Sequence, residues 1–149
     1  MHRVQSKLFG SLICVMISLC GVRDAPYPAS VEKADIEAVL QKYIDGTSKG
    51  KPDLLREAFH PEFNLYARNA DDTLRIWDGN EYISLFESGK PRNRIGRVVY
   101  VDQEGDTAVA RVEIEIPQDR LFTDYFLLVK YGGQWKIIHK SFTSRPLDD

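Results

Sequence analysis

From Val31 onward, apolar residues return every three or four positions at Ile36, Val39, Leu40, Tyr43 and Ile44, which predicts a helix with one stripe turned to a core. Ser30 stands where an N-cap belongs, and Gly46 and Gly50 are the expected end. Pro52 suits the first turn of a second helix, Asp53 complements its positive end, and Leu54, Leu55, Ala58 and Phe59 give it an apolar side until His60-Pro61 stops it. The pattern then changes period. Phe63 to Arg68 and Thr73 to Trp77 read as two short strands joined by the turn-rich Asn69-Ala70-Asp71-Asp72, a hairpin.

Asp78 followed by Glu81 resembles a capping box for a short third helix with Tyr82, Leu85 and Phe86 on its apolar face, closed by Gly89 and Pro91. Four strand-like runs follow: Asn93 to Asp102, Thr107 to Ile116, Leu121 to Lys130 and Gln134 to Phe142. Their connections, Glu104-Gly105-Asp106, Pro117-Gln118-Asp119 and Gly132-Gly133, suit antiparallel neighbours. Helices thus cluster early and strands late. That order predicts a segregated α+β fold of about six strands, with three helices packed on a curved, mainly antiparallel sheet. Four long strands offer more concave surface than three short helices can fill, so a pocket is expected.

The first 21 residues have a different character. Arg3 and Lys7 precede an apolar run from Leu8 to Leu19, the pattern of a signal peptide. The run is shorter than the ~20 residues of a spanning helix, so cleavage is expected near Cys20 or Gly21 and no membrane span in the mature chain. Residues 22–30, with Pro26 and Pro28, read as a linker, residues 31–144 as the domain and residues 145–149 as a tail. An exported, periplasmic or secreted protein is expected. Lipidation at Cys20 is the weaker alternative, because Leu19 is bulky where small residues usually precede a lipidated cysteine. Both cysteines, Cys14 and Cys20, fall at the signal, so the mature domain would fold without disulfides or thiol chemistry.

With 149 residues, 20 Lys and Arg against 22 Asp and Glu, the chain has the size of one domain and lacks the basic field that nucleic acid attracts. Two histidines in the mature chain, His60 and His139, have no metal-ligand spacing, and neither a GxSxG turn nor a phosphate-binding glycine loop occurs. Neither metal nor cofactor is expected. Strict alternation along the last strand would place Trp135, Ile137, His139 and Ser141 inside, with Lys136 and Lys140 outside. On that reading His139 and Asp124, a carboxylate in an otherwise apolar run, are the candidate catalytic pair. Asp124 could equally be a strand-end carboxylate paired with Arg94, Arg97 or Arg111. His60 suits the negative end of the second helix. Tyr43, Phe59, Tyr66, Trp77, Tyr82, Phe86 and Trp135 are the candidate ligand-binding aromatics.

The stretches YIDGTSKGKPDLLREAFHPEFNLYARNADDTLRIWDGNEYIS and FTDYFLLVKYGGQWKIIHKSF resemble the putative lumazine-binding family of the nuclear transport factor 2-like superfamily, over Glu32 to Phe142. The resemblance implies a cone-shaped α+β fold with an internal cavity and homodimers paired through the outer face of the sheet. The superfamily spans ketosteroid isomerases, scytalone dehydratase, polyketide cyclases and non-enzymatic binders, so the fold selects no chemistry. Three readings stand open: a binder of a small apolar or aromatic molecule, an acid–base isomerase or lyase using Asp124 and His139 with Tyr43 or Tyr66 as donor, and a homodimeric interaction module without ligand.

Overall fold

The computed structural model describes residues 29–147, so the expected signal peptide and nearly all of the expected linker lie outside the described residues. Three helices, α1 (Ala29–Lys49), α2 (Pro52–Ala58) and α3 (Gly79–Ser84), accompany six strands. The strands are β1 (Phe59–Arg68), β2 (Leu74–Asp78), β3 (Ile95–Glu104), β4 (Thr107–Ile116), β5 (Arg120–Tyr131) and β6 (Gln134–Pro146). They form one sheet in the order β2-β1-β6-β5-β4-β3, antiparallel throughout except where β1 runs parallel to β6. The expected α+β class, the three helices and the curved six-stranded sheet are all present. Among the described residues no helix is long and apolar enough to cross a membrane.

Several boundaries differ from the sequence reading. Helix α1 already includes Ala29 and Ser30 and passes through Gly46, ending at Lys49. Its end falls at Gly50, whose φ of +63° is the left-handed turn that a helix C-terminus commonly takes. Strand β1 begins at Phe59, directly after α2, and absorbs His60-Pro61 through a register irregularity between Phe59 and Asn64. Asp78 does cap α3, accepting hydrogen bonds from the backbone N–H of Asn80 at 2.8 Å and of Glu81 at 3.4 Å. Strand β6 continues to Pro146, beyond the expected end at Phe142.

The core lies between α1 and the concave face of the sheet. Ile36, Leu40, Tyr43 and Ile44 form the buried stripe of α1, and Ala108, Ala110, Val112, Ile114, Phe126, Leu128 and Ile137 face it from the strands. At the far end Glu32 ties helix to sheet: Lys130 Nζ and Trp135 Nε1 donate to its two oxygens at 2.6 and 2.7 Å. These bonds, the Lys130 bond foremost, hold the Glu32 carboxyl below the usual carboxylate range.

One irregularity decides what lines the interior. The Gly132-Gly133 turn pairs Lys130 with Trp135 and Leu128 with Ile137, but Leu127 then pairs with His139. Ile138 is the extra residue of a β-bulge. Beyond it the alternation inverts, so Lys140 pairs with Phe126 and Phe142 with Asp124, all on the concave side.

Candidate functional site

A cavity of about 240 Å³ opens between α1, α3 and strands β2, β4, β5 and β6. Its walls are mostly apolar: Trp77, Leu85, Phe86, Ile114, Phe122 and Phe142. Its floor is not. Asp124 is 1% exposed and Lys140 4% exposed, and both belong to the lining.

The floor is a closed network. Tyr43, reaching down from α1, donates its phenol proton to Asp124 Oδ2 at 2.6 Å. Lys140 Nζ donates to Tyr43 Oη at 2.7 Å and pairs with Asp124 Oδ1 at 3.0 Å, the second contact being an ion pair without hydrogen-bond alignment. Tyr82 Oη lies 3.3 Å from Tyr43 Oη and 3.5 Å from Lys140 Nζ, so its hydroxyl is the most loosely held member. The ammonium also sits 5.0 to 5.1 Å from the ring centres of Tyr43, Tyr82 and Phe142.

Burial pushes the Tyr43 phenol well above the ordinary tyrosine value, and the Asp124 charge pushes the same way. For Lys140 burial works to lower the pKa, but the Asp124 carboxylate outweighs it with help from Tyr82, leaving the ammonium above the ordinary lysine value. The floor thus sets the Lys140 ammonium against Asp124, with the protonated Tyr43 phenol between them. Arg92 and Arg94, half-buried in the lining, add positive charge at the rim.

The aromatic expectations divide. Tyr43, Trp77, Tyr82 and Phe86 line the cavity. Phe59 is instead core, stacked on Phe63 with centroids 3.8 Å apart. Trp135 is buried at the Glu32 end, its indole committed to that carboxylate. Tyr66 pairs with Ser141 and Ile76 on the convex face, outside the cavity.

The expectation that His139 points inward is corrected by the bulge at Ile138. His139 stands on the convex face, with Nδ1 2.8 Å from Asn64 Oδ1 and its ring 4.9 Å from Tyr66. Asp124 does face the cavity, but the two do not share it. Lys140, expected outside, takes the interior place, and it is Lys140, not Arg94, Arg97 or Arg111, that pairs with Asp124. His60 lies past the end of α2 at the start of β1, where Nδ1 accepts from the Glu62 N–H at 3.2 Å. Among the described residues no cluster of three or more His, Cys, Asp or Glu could hold a metal.

A second, more open depression of about 550 Å³ lies around the register shift in β3, lined by Val99, Tyr100, Val109, Ala110, Arg111, Tyr125 and Phe126. Tyr100, Val109 and Tyr125 are 53, 44 and 52% exposed there, an apolar patch on the convex sheet.

The family described as Putative lumazine-binding matches residues 31–143. The fold is similar to that of an NTF2-like protein of unknown function from Shewanella baltica OS155, with TM-score 0.74 and 24% identity over 80% of this chain and 98% of that one. A second NTF2-like protein of unknown function, from Methylobacillus flagellatus KT, matches with TM-score 0.70 and 27% identity over 80% of this chain and 96% of that one. The chain is also similar to aldolase FrzH of Cladobotryum sp, 25% identical over 123 residues that cover 82% of this chain and 98% of that protein.

Proposed function

The chain belongs to the Putative lumazine-binding family and has a nuclear transport factor 2-like fold, and from that premise we propose that its cavity binds one small, flat, largely apolar molecule through an oxygen atom seated near Tyr82 and Lys140. The observation that carries this reading is an aromatic cavity whose floor is a buried Asp124–Lys140–Tyr43 network with the Tyr82 hydroxyl loosely held above it. A buried ion pair contributes little net stability compared with apolar packing, so its placement against a void points to recognition. A volume of about 240 Å³ is below the ~300–1,000 Å³ typical of drug-sized sites, which suits a ligand of one or two rings.

Native mass spectrometry of the protein purified from its own source tests the reading. A stoichiometric small molecule that Tyr82→Phe retains less fully is the expected result. A chain that comes empty, and whose melting temperature is unmoved by any flat aromatic carbonyl or phenol, would sink it.

Acid–base catalysis is the second reading, favoured by the buried lysine and carboxylate and by likeness to a protein named an aldolase. The geometry supports it less. Asp124 Oδ2 accepts from Tyr43 and Oδ1 is ion-paired with Lys140, which weakens the carboxylate as a base. A Schiff base needs the neutral amine, and the Asp124 charge keeps Lys140 protonated. Borohydride reduction in the presence of benzaldehyde or pyruvate at pH 7, read by intact mass, should give no adduct at Lys140. An adduct there would reverse the order of the two readings.

The proposal extends to the protein's setting. The basic start and short apolar run of residues 1–21 support export, with lipidation at Cys20 the weaker form because of Leu19. The exposed Tyr100, Val109 and Tyr125 patch supports a homodimer paired through the convex sheet. Sedimentation velocity on the wild type and on Tyr125→Lys tests the dimer; a monomeric wild type would remove it.

A further inference from the structure

Arg92 and Arg94 lie two residues apart just before β3, and both enter the cavity lining. The Arg92 guanidinium carbon sits 4.4 Å, and that of Arg94 5.8 Å, from the centre of the Phe86 ring. Among the described residues neither makes an ion pair with a carboxylate, whereas Arg56, Arg68, Arg97 and Arg120 each do. Arg92 is depressed below the ordinary arginine value, first by desolvation and then by the Arg94 charge beside it. Two adjacent, half-buried cations with no counterion form an unfavourable arrangement unless something else supplies the negative charge.

The segment that carries them is fixed in place. The Arg92 backbone N–H donates to Ser48 O at 2.7 Å, its guanidinium donates to Leu85 O, and Gly50 lets the Lys90 backbone approach the end of α1. The charges deeper in the cavity cannot serve as partners, since Asp124 is already paired with Lys140. Two rings separate the rim from the floor: Phe86 under Arg92, and Tyr82, 5.5 Å from Phe86 and 5.1 Å from Lys140 Nζ.

The geometry points to Arg92 and Arg94 as an anion clamp, so that the ligand of this cavity is a planar aromatic carboxylate. Its acid group lies on the two guanidiniums, its ring lies between Phe86 and Trp77, and its far oxygen lies near Tyr82 and Lys140. Arginine suits the role because its planar fork matches a carboxylate and stacks on an aromatic ring at the same time. The inference rests on the proposed ligand-binding role and narrows it to one charge class.

The test compares 2-naphthoate with its neutral isostere 2-naphthamide by titration calorimetry at low and high salt, on the wild type, Arg94→Gln and Arg92→Gln/Arg94→Gln, each checked for its melting transition. The wild type should prefer the acid by about tenfold, the worth of one charge-assisted pair, with the preference shrinking as salt rises. In the double variant acid and amide should bind alike; Arg94→Gln, which leaves the Arg92 contacts intact, should fall between. Equal affinities in the wild type, or a preference that survives in the double variant, would overturn the clamp while leaving the cavity's binding role standing. If neither probe binds the wild type, both the clamp and the binding role fall.

Discussion

Lys140 and Asp124 form an ion pair of 3.0 Å in which the side chains are 6 and 1% exposed, with Tyr43 bonded to both. Removing one member strands the other charge. Asp124→Asn should therefore cost about 3–5 kcal/mol in urea unfolding, whereas Asp124→Leu/Lys140→Met, which removes both charges, should unfold within about 1 kcal/mol of the wild type or above it. A double variant as unstable as the single one would mean that the pair itself holds the fold together.

The same network fixes the response to alkali. Tyr43 and Lys140 both release their protons at higher pH in the folded protein than the ordinary values of 10.0 and 10.5. Above about pH 10 the folded state thus holds more protons than the unfolded chain, so stability is complete below that point and declines as pH rises through the folded values. Urea midpoints between pH 7 and 11 should show this decline, and it should be shallower in Asp124→Leu/Lys140→Met with Tyr43→Phe. Equal slopes in the two proteins would place the alkaline titration elsewhere.

The bulge makes a prediction about neighbouring positions in β6. His139→Ala, on the convex face, should leave the affinity of a bound aromatic ligand unchanged. Tyr82→Phe, which removes the loosely held cavity hydroxyl, should weaken it by about five- to tenfold, the worth of one hydrogen bond. Loss of affinity in His139→Ala at unchanged stability would put the histidine back at the site.

Gly50 carries the rim. A Cβ there would lie 2.5 Å from Lys90 O, a backbone atom that cannot step aside, at a φ of +63°. Gly50→Ala should cost about 2–4 kcal/mol and should weaken carboxylate probes more than neutral ones, because the clash displaces the strand of chain that presents Arg92 and Arg94. A variant with unchanged melting temperature would contradict the close approach.

The helices, the hairpin and the closing meander were legible because each has its own period and its own punctuation. Ile36, Leu40, Tyr43 and Ile44 mark a helix face, Asp78 caps α3, and Gly132-Gly133 turns β5 into β6. Asp124 was legible too, as a carboxylate among apolar neighbours. Lys140 was not, because extrapolating a period of two from Trp135 sends it outward. The doublet Ile137-Ile138, two consecutive apolar residues in an alternating strand, was the available signal of the bulge. Tyr66 was misplaced for a related reason: alternation alone cannot say which of two faces is concave when both carry aromatics. The pairing of Arg92 and Arg94 with one ring depends on where α3 ends relative to β3, which no local pattern encodes.

The extra residue at Ile138 means that strand β6 speaks to the interior in two different phases. Before it, odd-numbered residues supply apolar core; after it, even-numbered residues deliver an ammonium and a phenyl ring to the cavity. Without the bulge, the same residues in strict alternation would set His139 opposite Phe126 and Ser141 opposite Asp124, where Lys140 and Phe142 now stand. Proteins sharing this fold can thus part company in chemistry through the presence or absence of one bulge, and position-by-position identity would record almost nothing of the difference.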